Sequence, residues 1–156
     1  PVAWTPQEAY ESEMAAFFQA KFAKFGELQP DAETIVGLSQ NADYMNAVGA
    51  TYAGKCASCH AADGGGIIGP NLTDDSYIHI SDVTDIHTIL QEGVTNKGMP
   101  AWGRQLHPNE LVLLSAYVAQ MRGQDAAGKE PEGEVIEPWP DHPRLTFEDE
   151  NAASGG

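Results

Sequence analysis

Large apolar residues recur at helical spacing in several stretches of the chain. Tyr10, Met14, Phe17, Phe18, Phe22 and Phe25 make the first stripe, with the i, i+3, i+4 rhythm of one helix face. Thr5-Pro6-Gln7-Glu8 supplies a start for it. Thr5 can cap, Pro6 suits the first helical position, and Glu8 can close a capping box. Gly26 can end it. The pattern predicts a helix over residues 4–25, packed on the body of the protein or on a partner. Asp31 opens a short second helix over 32–38, and Asp43 is the predicted cap of a third, from Tyr44 towards Cys59. Val83, Ile86, Ile89 and Leu90 mark a helix over 82–92. Pro108 opens the last one, with Glu110 in its first turn; Leu111, Leu114, Tyr117, Val118 and Met121 form its apolar face, and Gly123 is its stop. Residues 61–70 and 93–103 are Gly-rich loops. Beyond Gly123, four prolines among many acids deny regular structure. With no strand alternation and no internal repeat, the predicted fold class is all-α.

Length and composition narrow this picture. With 156 residues, 42% of them apolar, the chain can bury a core and suits one domain with length to spare. No apolar run approaches the ~18–20 residues that span a bilayer. No leader pattern opens the sequence, and Pro1 is not an initiator, so the expectation is a processed chain from which any signal or anchor has been removed. The net charge of −15 argues against nucleic acid as a partner. That charge is uneven. Residues 1–42 carry −4, residues 43–123 carry −4 and residues 124–156 carry −7. The division expected is an N-terminal helical extension (1–42), a central domain (43–123) and an acidic, Pro-rich C-terminal extension (124–156). Solubility is the plain reading of the acid; a dedicated docking surface is the other.

The chemistry lies in the middle. Residues 56–60 read Cys-Ala-Ser-Cys-His. C-x-x-C-H is the attachment motif of c-type haem: each thiol adds to one haem vinyl group, and the adjacent imidazole is aimed at the iron. Three readings compete. A thioredoxin-like C-x-x-C belongs in a βαβ setting, which is absent. A zinc site needs four ligands, and His79, His87, His107 and His142 offer no second paired set. A chance match is the third. A low-spin haem for electron transfer needs a sixth ligand, and Met99 in Lys97-Gly98-Met99-Pro100 presents a thioether from a Gly/Pro loop. Met14, Met45 and Met121 sit in helical apolar patterns, where methionine usually packs a core. Gly69-Pro70-Asn71-Leu72 follows ten residues after His60. A metal-bound histidine normally donates its other ring N–H, and the Pro70 carbonyl is free to accept.

CASCH, GPNL, GMPAW and a closing helix with Ala-Tyr-Val together resemble a class I cytochrome c over roughly residues 43–123. The resemblance implies an N-terminal helix crossing a C-terminal helix, with the haem in a cleft among the connecting loops. The fold expected is therefore a class I cytochrome c fold with an extra N-terminal helical segment and an acidic C-terminal tail. It implies one haem c attached through Cys56 and Cys59, His60 as proximal ligand, Met99 as distal ligand, and the Pro70 carbonyl accepting from His60. It puts aromatics at Tyr52 and Tyr117. Val48 stands where the family has a small residue at the helix crossing, with Gly49 one later, so the crossing contact is expected to shift. GPNLTDD with GMPAW, and the Gly/Glu-rich stretch after Gly128, are similar to the cytochrome c subunit of cbb3-type oxidases.

Tyr77, Trp102 and Arg104 are further candidates for the cleft, Trp102 and Arg104 to pack on the haem or pair with a propionate; a plain loop anchor is the alternative. His107 is read as a helix cap, His79 and His87 as surface or core polar residues before axial ligands, and Trp139 as a pin for the tail. The resemblance implies an electron carrier without catalytic residues. It works with redox partners such as a terminal oxidase, in the periplasm or on the outer face of the cytoplasmic membrane. The alternatives are a haem domain of a larger redox enzyme and a ligand-binding haem sensor. Lys55, Lys97 and Arg104 flank the attachment and methionine loops, which predicts a locally less negative docking face.

Overall fold

A computed structural model of the chain describes residue 3 and residues 5–146, apart from the side chains of residues 24 and 25. Thr5 Oγ1 accepts from the Glu8 N–H at 3.1 Å, and the Glu8 carboxylate accepts from the Thr5 N–H at 2.8 Å. This reciprocal box and Pro6 start helix α1 (Pro6–Phe25), which stops at Gly26 with φ 74°. The stripe on α1 divides more sharply than its spacing implies. Phe18 is buried, Met14 and Phe22 are partly buried against the core, and Tyr10 and Phe17 are exposed; the Phe25 side chain lies outside the described residues. Successive residues are about 100° apart on a helix, so Phe17 and Phe18 cannot share one narrow face. Phe17 instead has the Lys21 ammonium 5.6 Å from its ring centre.

The Asp31 carboxylate accepts from the Thr34 N–H at 2.8 Å and starts α2 (Ala32–Ser39). Helix α3 (Ala42–Lys55) corrects the expected cap: Asn41, not Asp43, accepts from the Tyr44 N–H. Asn41 is fully buried, and its Nδ2 donates to the Leu145 carbonyl at 3.1 Å, so a distant partner fixes where the helix begins. The chain also breaks at Cys56, leaving α4 (Ala57–His60) as a separate turn rather than a continuation to Cys59. Helices α5 (Val83–Glu92) and α6 (Pro108–Met121) follow the sequence pattern. The His107 ring caps α6 by accepting from the Asn109 N–H at 3.0 Å.

Helices α2, α3 and α5 pack on α6, and α1 lies along α3. Leu38, Val48, Leu113 and Ala116 at their meeting are wholly inaccessible. The α3–α6 crossing falls at Gly49, where an added Cβ would lie 3.5 Å from the Tyr117 ring. The shift from Val48 is the one expected. Buried Asn109 ties the turn after α1 to α6: its Oδ1 accepts from the Leu28 N–H at 2.8 Å and its Nδ2 donates to the Gly26 carbonyl at 2.7 Å.

The all-α expectation needs one correction. Ser76–Tyr77 (β1) pairs antiparallel with Glu134–Val135 (β2), in the tail expected to lack regular structure. Gly133, at φ 90°, brings the tail so close to the Tyr77 carbonyl that no Cβ would fit. A two-residue ribbon has no alternation for a sequence pattern to reveal. Trp139 pins the tail as expected, its Nε1 donating to the Ala119 carbonyl at 3.1 Å. Arg122 gathers it further, donating to Asp75 Oδ1 at 2.9 Å and to the carbonyls of Glu137 and Ile136 at 2.7 and 2.8 Å. Among the described residues, no helix is long and apolar enough to cross a membrane.

Candidate haem site

Cys56 ends α3 and opens α4, and its carbonyl accepts from the N–H groups of Cys59 and His60. This single turn sets both thiols and the imidazole on one tight unit. Immediately after it, Ala61 takes φ 69°, a value that a residue with a Cβ rarely adopts. The Tyr52 hydroxyl holds that turn, donating to the Ala61 carbonyl at 2.8 Å. Tyr52 in turn packs on Tyr117, with ring centres 5.1 Å apart.

The glycine loop then folds back over α4. The N–H groups of Ile67 and Gly69 donate to the Cys59 carbonyl at 3.0 and 2.8 Å, and that of Gly66 donates to the His60 carbonyl at 2.8 Å. These bonds satisfy carbonyls that the end of so short a helix leaves open. They also press Gly69 onto the imidazole: a Cβ there would lie 2.7 Å from His60 Cε1. Next to it, the Pro70 oxygen lies 2.9 Å from His60 Nδ1. A carbonyl only accepts, so the proton sits on Nδ1 and Nε2 keeps its lone pair. Burial pushes the imidazole below its usual pKa, against the pull of the Pro70 carbonyl, and the ring is neutral at neutral pH.

Cys56 is buried and Cys59 half-buried. Burial pushes the Cys56 thiol up to about 11, over the opposing pull of Lys55. A structural zinc site needs four ligands brought together. No group of three or more potential metal-binding His, Cys, Asp or Glu side chains occurs among the described residues.

Met99 is half-buried and packs on the apolar cluster that includes Cys56 and Tyr52. Val94 and Met99 exchange backbone bonds of 3.0 and 3.1 Å, closing a small loop whose turn is completed by Gly98 at φ 88°. The competing methionines are committed elsewhere: Met45 and Met121 are core, and Met14 packs from α1. Trp102 packs partly buried on the same cluster, with the Lys55 ammonium 5.7 Å from its ring centre. Arg104 is exposed. Tyr77 is buried at the junction with the tail, 5.6 Å from the Trp139 ring. Its hydroxyl has no hydrogen-bond partner among the described residues, and burial pushes it up to about 12. His79 is exposed and His87 half-buried on α5.

A haem c fits these residues. Two thiols on one turn, an imidazole whose Nδ1 is engaged by a carbonyl so that Nε2 keeps its lone pair, and a glycine face no Cβ could share are what such a group would engage. The sequence missed three supports: the Ala61 turn, the Asn71 side chain and the Arg122 hub. In the sequence Asn71 stands out only as part of a motif, and nothing near the other two marks them.

The fold and the site thus define a small helical protein built around a C-x-x-C-H turn, the class of the c-type cytochromes. The family model described as cytochrome C oxidase, cbb3-type, subunit III matches residues 44–118. The chain is 32% identical over 72 residues to cytochrome c6 of Chlorolobion braunii, which covers 44% of this chain and 81% of that protein. It is 32% identical over 91 residues to the cbb3-type cytochrome c oxidase subunit CcoP of Cereibacter sphaeroides, covering 51% of this chain and 31% of the subunit. It is 35% identical over 77 residues to subunit FixP of Azorhizobium caulinodans, covering 46% and 25%. The chain belongs to the cytochrome c family, and its matched region is similar to the haem domains of cbb3-type oxidase subunits. It spans less than a third of the length of the oxidase subunits it matches. No solved structure matches it.

Proposed function

We propose that this chain carries electrons on one haem c, attached by thioether bonds from Cys56 and Cys59 and ligated by His60 and Met99. The observation that carries this reading is the 2.9 Å contact of His60 Nδ1 with the Pro70 carbonyl, directly after the paired thiols. When bound, the haem supplies a one-electron couple, which His/Met ligation biases to higher potential. The protein's own residues do the rest. The Pro70 carbonyl holds the imidazole proton on Nδ1, so Nε2 faces outward as the donor atom. Gly69 keeps the ring flat against the backbone. The paired backbone bonds of Val94 and Met99 fix the loop that presents the thioether. Trp102 closes the surroundings on the Met99 side, with Trp102 and Arg104 the residues to pack on the haem or pair with a propionate, and Tyr77 lines the cleft from its junction with the tail. Arg104, like Lys97, is an exposed cation beside the methionine loop.

The haem domain is residues 43–123, with a helical addition over 1–42 and an acidic addition over 124–156. The partners are redox proteins of a respiratory chain delivering electrons towards a terminal oxidase, and the location is the periplasm or the outer face of the cytoplasmic membrane. The resemblance to oxidase subunits supports both statements. Service within a larger redox assembly is the second reading, favoured by the fact that the matched subunits are much longer than the matched region.

Met99→Ala in the haem-loaded protein tests the ligand set. The variant should keep its haem through denaturing electrophoresis, lose the charge-transfer band of methionine-ligated ferric haem, fall in potential and bind CO or cyanide. An unchanged spectrum would give the sixth position to another residue, with Met121 tested first and His87 next.

A further inference from the structure

The loop that carries Pro70 is held from two sides. From within, α4 receives the bonds described above. From outside, the segment after α6 lies along it. The Lys129 N–H donates to the Gly65 carbonyl at 2.9 Å, and Lys129 Nζ donates to the Ile68 carbonyl at 3.3 Å. The Thr73 carbonyl accepts from the N–H groups of Gly123 and Asp125 at 2.8 and 3.2 Å, and Thr73 Oγ1 accepts from the Ala126 N–H at 2.9 Å. The fit is close: a Cβ on Gly65 would lie 2.5 Å from the Ala127 carbonyl, and one on Gly128 would run into the Gly65 backbone.

The two sides meet at Asn71, next to Pro70. Its Nδ2 donates to the carbonyls of Ala126 and Lys129 at 3.1 and 3.2 Å, both in the tail. Its Oδ1 accepts from the Thr73 N–H and hydroxyl at 2.8 and 2.6 Å. Both ends of this buried amide are therefore engaged, and neither can turn without losing two bonds. The residue that follows Pro70 in the chain is clamped by carbonyls more than fifty positions away.

We infer that residues 124–129 are a strap that positions His60, acting through Asn71 and the Gly65–Ile68 backbone to fix the Pro70 carbonyl against His60 Nδ1. This rests on the reading of His60 as a haem ligand. An acceptor on the second ring nitrogen orients a ligating imidazole and raises its basicity. A more basic ligand favours the ferric state. A loosened strap therefore weakens the Pro70 bond and raises the potential.

The test uses the full, haem-loaded chain. Gly128→Ala lifts the strap from Gly65 without touching Asn71, Pro70 or His60. Asn71→Ala removes the clamp itself. Leu145→Ala is the control: Leu145 belongs to the same tail but packs beside Gly37 on α2 and Asn41 at the start of α3. Three quantities are measured: the midpoint potential, solvent exchange of the His60 Nδ1 proton, and the melting temperature. Gly128→Ala should raise the potential by about 28 mV, a threefold change in the oxidised-to-reduced ratio at 59 mV per decade, and speed the exchange. Leu145→Ala should lower the melting temperature and leave the other two where they were. A Gly128→Ala protein that melts early with unchanged potential and exchange, or one whose potential falls, overturns the inference; should Asn71→Ala fail to fold, Gly128→Ala decides alone. A retained methionine charge-transfer band in each variant checks the ligand set separately, so failure of the strap and failure of the haem reading give different results.

Discussion

Truncating Phe18 to alanine is the sharpest test of whether α1 is part of the core. Phe18 is 1% exposed and lies 5.6 Å, centre to centre, from both Phe17 and Phe22. Phe22 in turn stacks on the His107 ring at 4.7 Å, over the start of α6. Removing the Phe18 ring loses its transfer free energy and leaves a cavity that its neighbours, anchored on two helices, cannot fill. Buried Phe→Ala changes cost about 3–5 kcal/mol. For a chain of this length each kcal/mol lowers the melting temperature by about 2–4 °C, so a loss of about 4 kcal/mol predicts a fall of about 8–16 °C. The assay is thermal unfolding of the haem-loaded protein, followed by far-ultraviolet circular dichroism and by haem absorbance. Phe17→Ala is the internal comparison. That ring is 38% exposed, so its removal should cost under about 1 kcal/mol. A Phe18→Ala protein melting within about 2 °C of the parent, or no more affected than Phe17→Ala, would mean that the helix does not contribute to the cooperative core. The stripe would then be a surface for another protein.

The helix crossing gives a second prediction: Gly49→Ala should stabilise by about 0.5–1 kcal/mol, because its Cβ would sit 3.5 Å from Tyr117, whereas Gly49→Leu should overpack and cost about 1–3 kcal/mol. Denaturant titration of both reads the sign, and an equal loss in both would move the crossing elsewhere. The Asp31 cap predicts a pH dependence. The Thr34 hydroxyl and N–H hold its carboxyl below the usual range; the stabilisation is present above the unfolded value of about 3.9 and fades as pH falls through the folded value. Asn also caps but does not titrate, so any stability gap between Asp31→Asn and the parent at pH 7 should close as pH falls through the lowered folded value; a gap that persists in acid where the carboxyl is protonated would trace to something other than the carboxylate. Finally, Lys97 and Arg104 are exposed beside the methionine loop, and Lys55 lies over Trp102. Reversing Lys97 and Arg104 to Glu should slow electron transfer to the physiological partner, an effect weakening with salt as screening reaches ~8 Å at physiological strength; the same loss from reversing two tail residues would show that only net charge counts.

What the sequence determined by itself is what short-range chemistry specifies. The capping box of Thr5 and Glu8, the Asp31 cap, the Pro108 start and the periodic faces of α5 and α6 all act within one or two turns, so their partners are visible a few letters away. The Cys56-Cys59-His60 turn is equally local, since three functional groups are carried by five consecutive residues. Tertiary structure decided the rest, because the deciding partners are remote or are backbone. Asn41 rather than Asp43 caps α3 because Leu145, 104 residues on, holds its amide. Phe17 and Phe18 look alike in the stripe until α1 lies along α3 and the core covers one of them. The tail reads as acidic and irregular, yet it pairs with Tyr77 and clamps Asn71 through main-chain carbonyls. A backbone carbonyl belongs to every residue and marks none, so no pattern of side chains could reveal which ones Asn71 and Arg122 would meet.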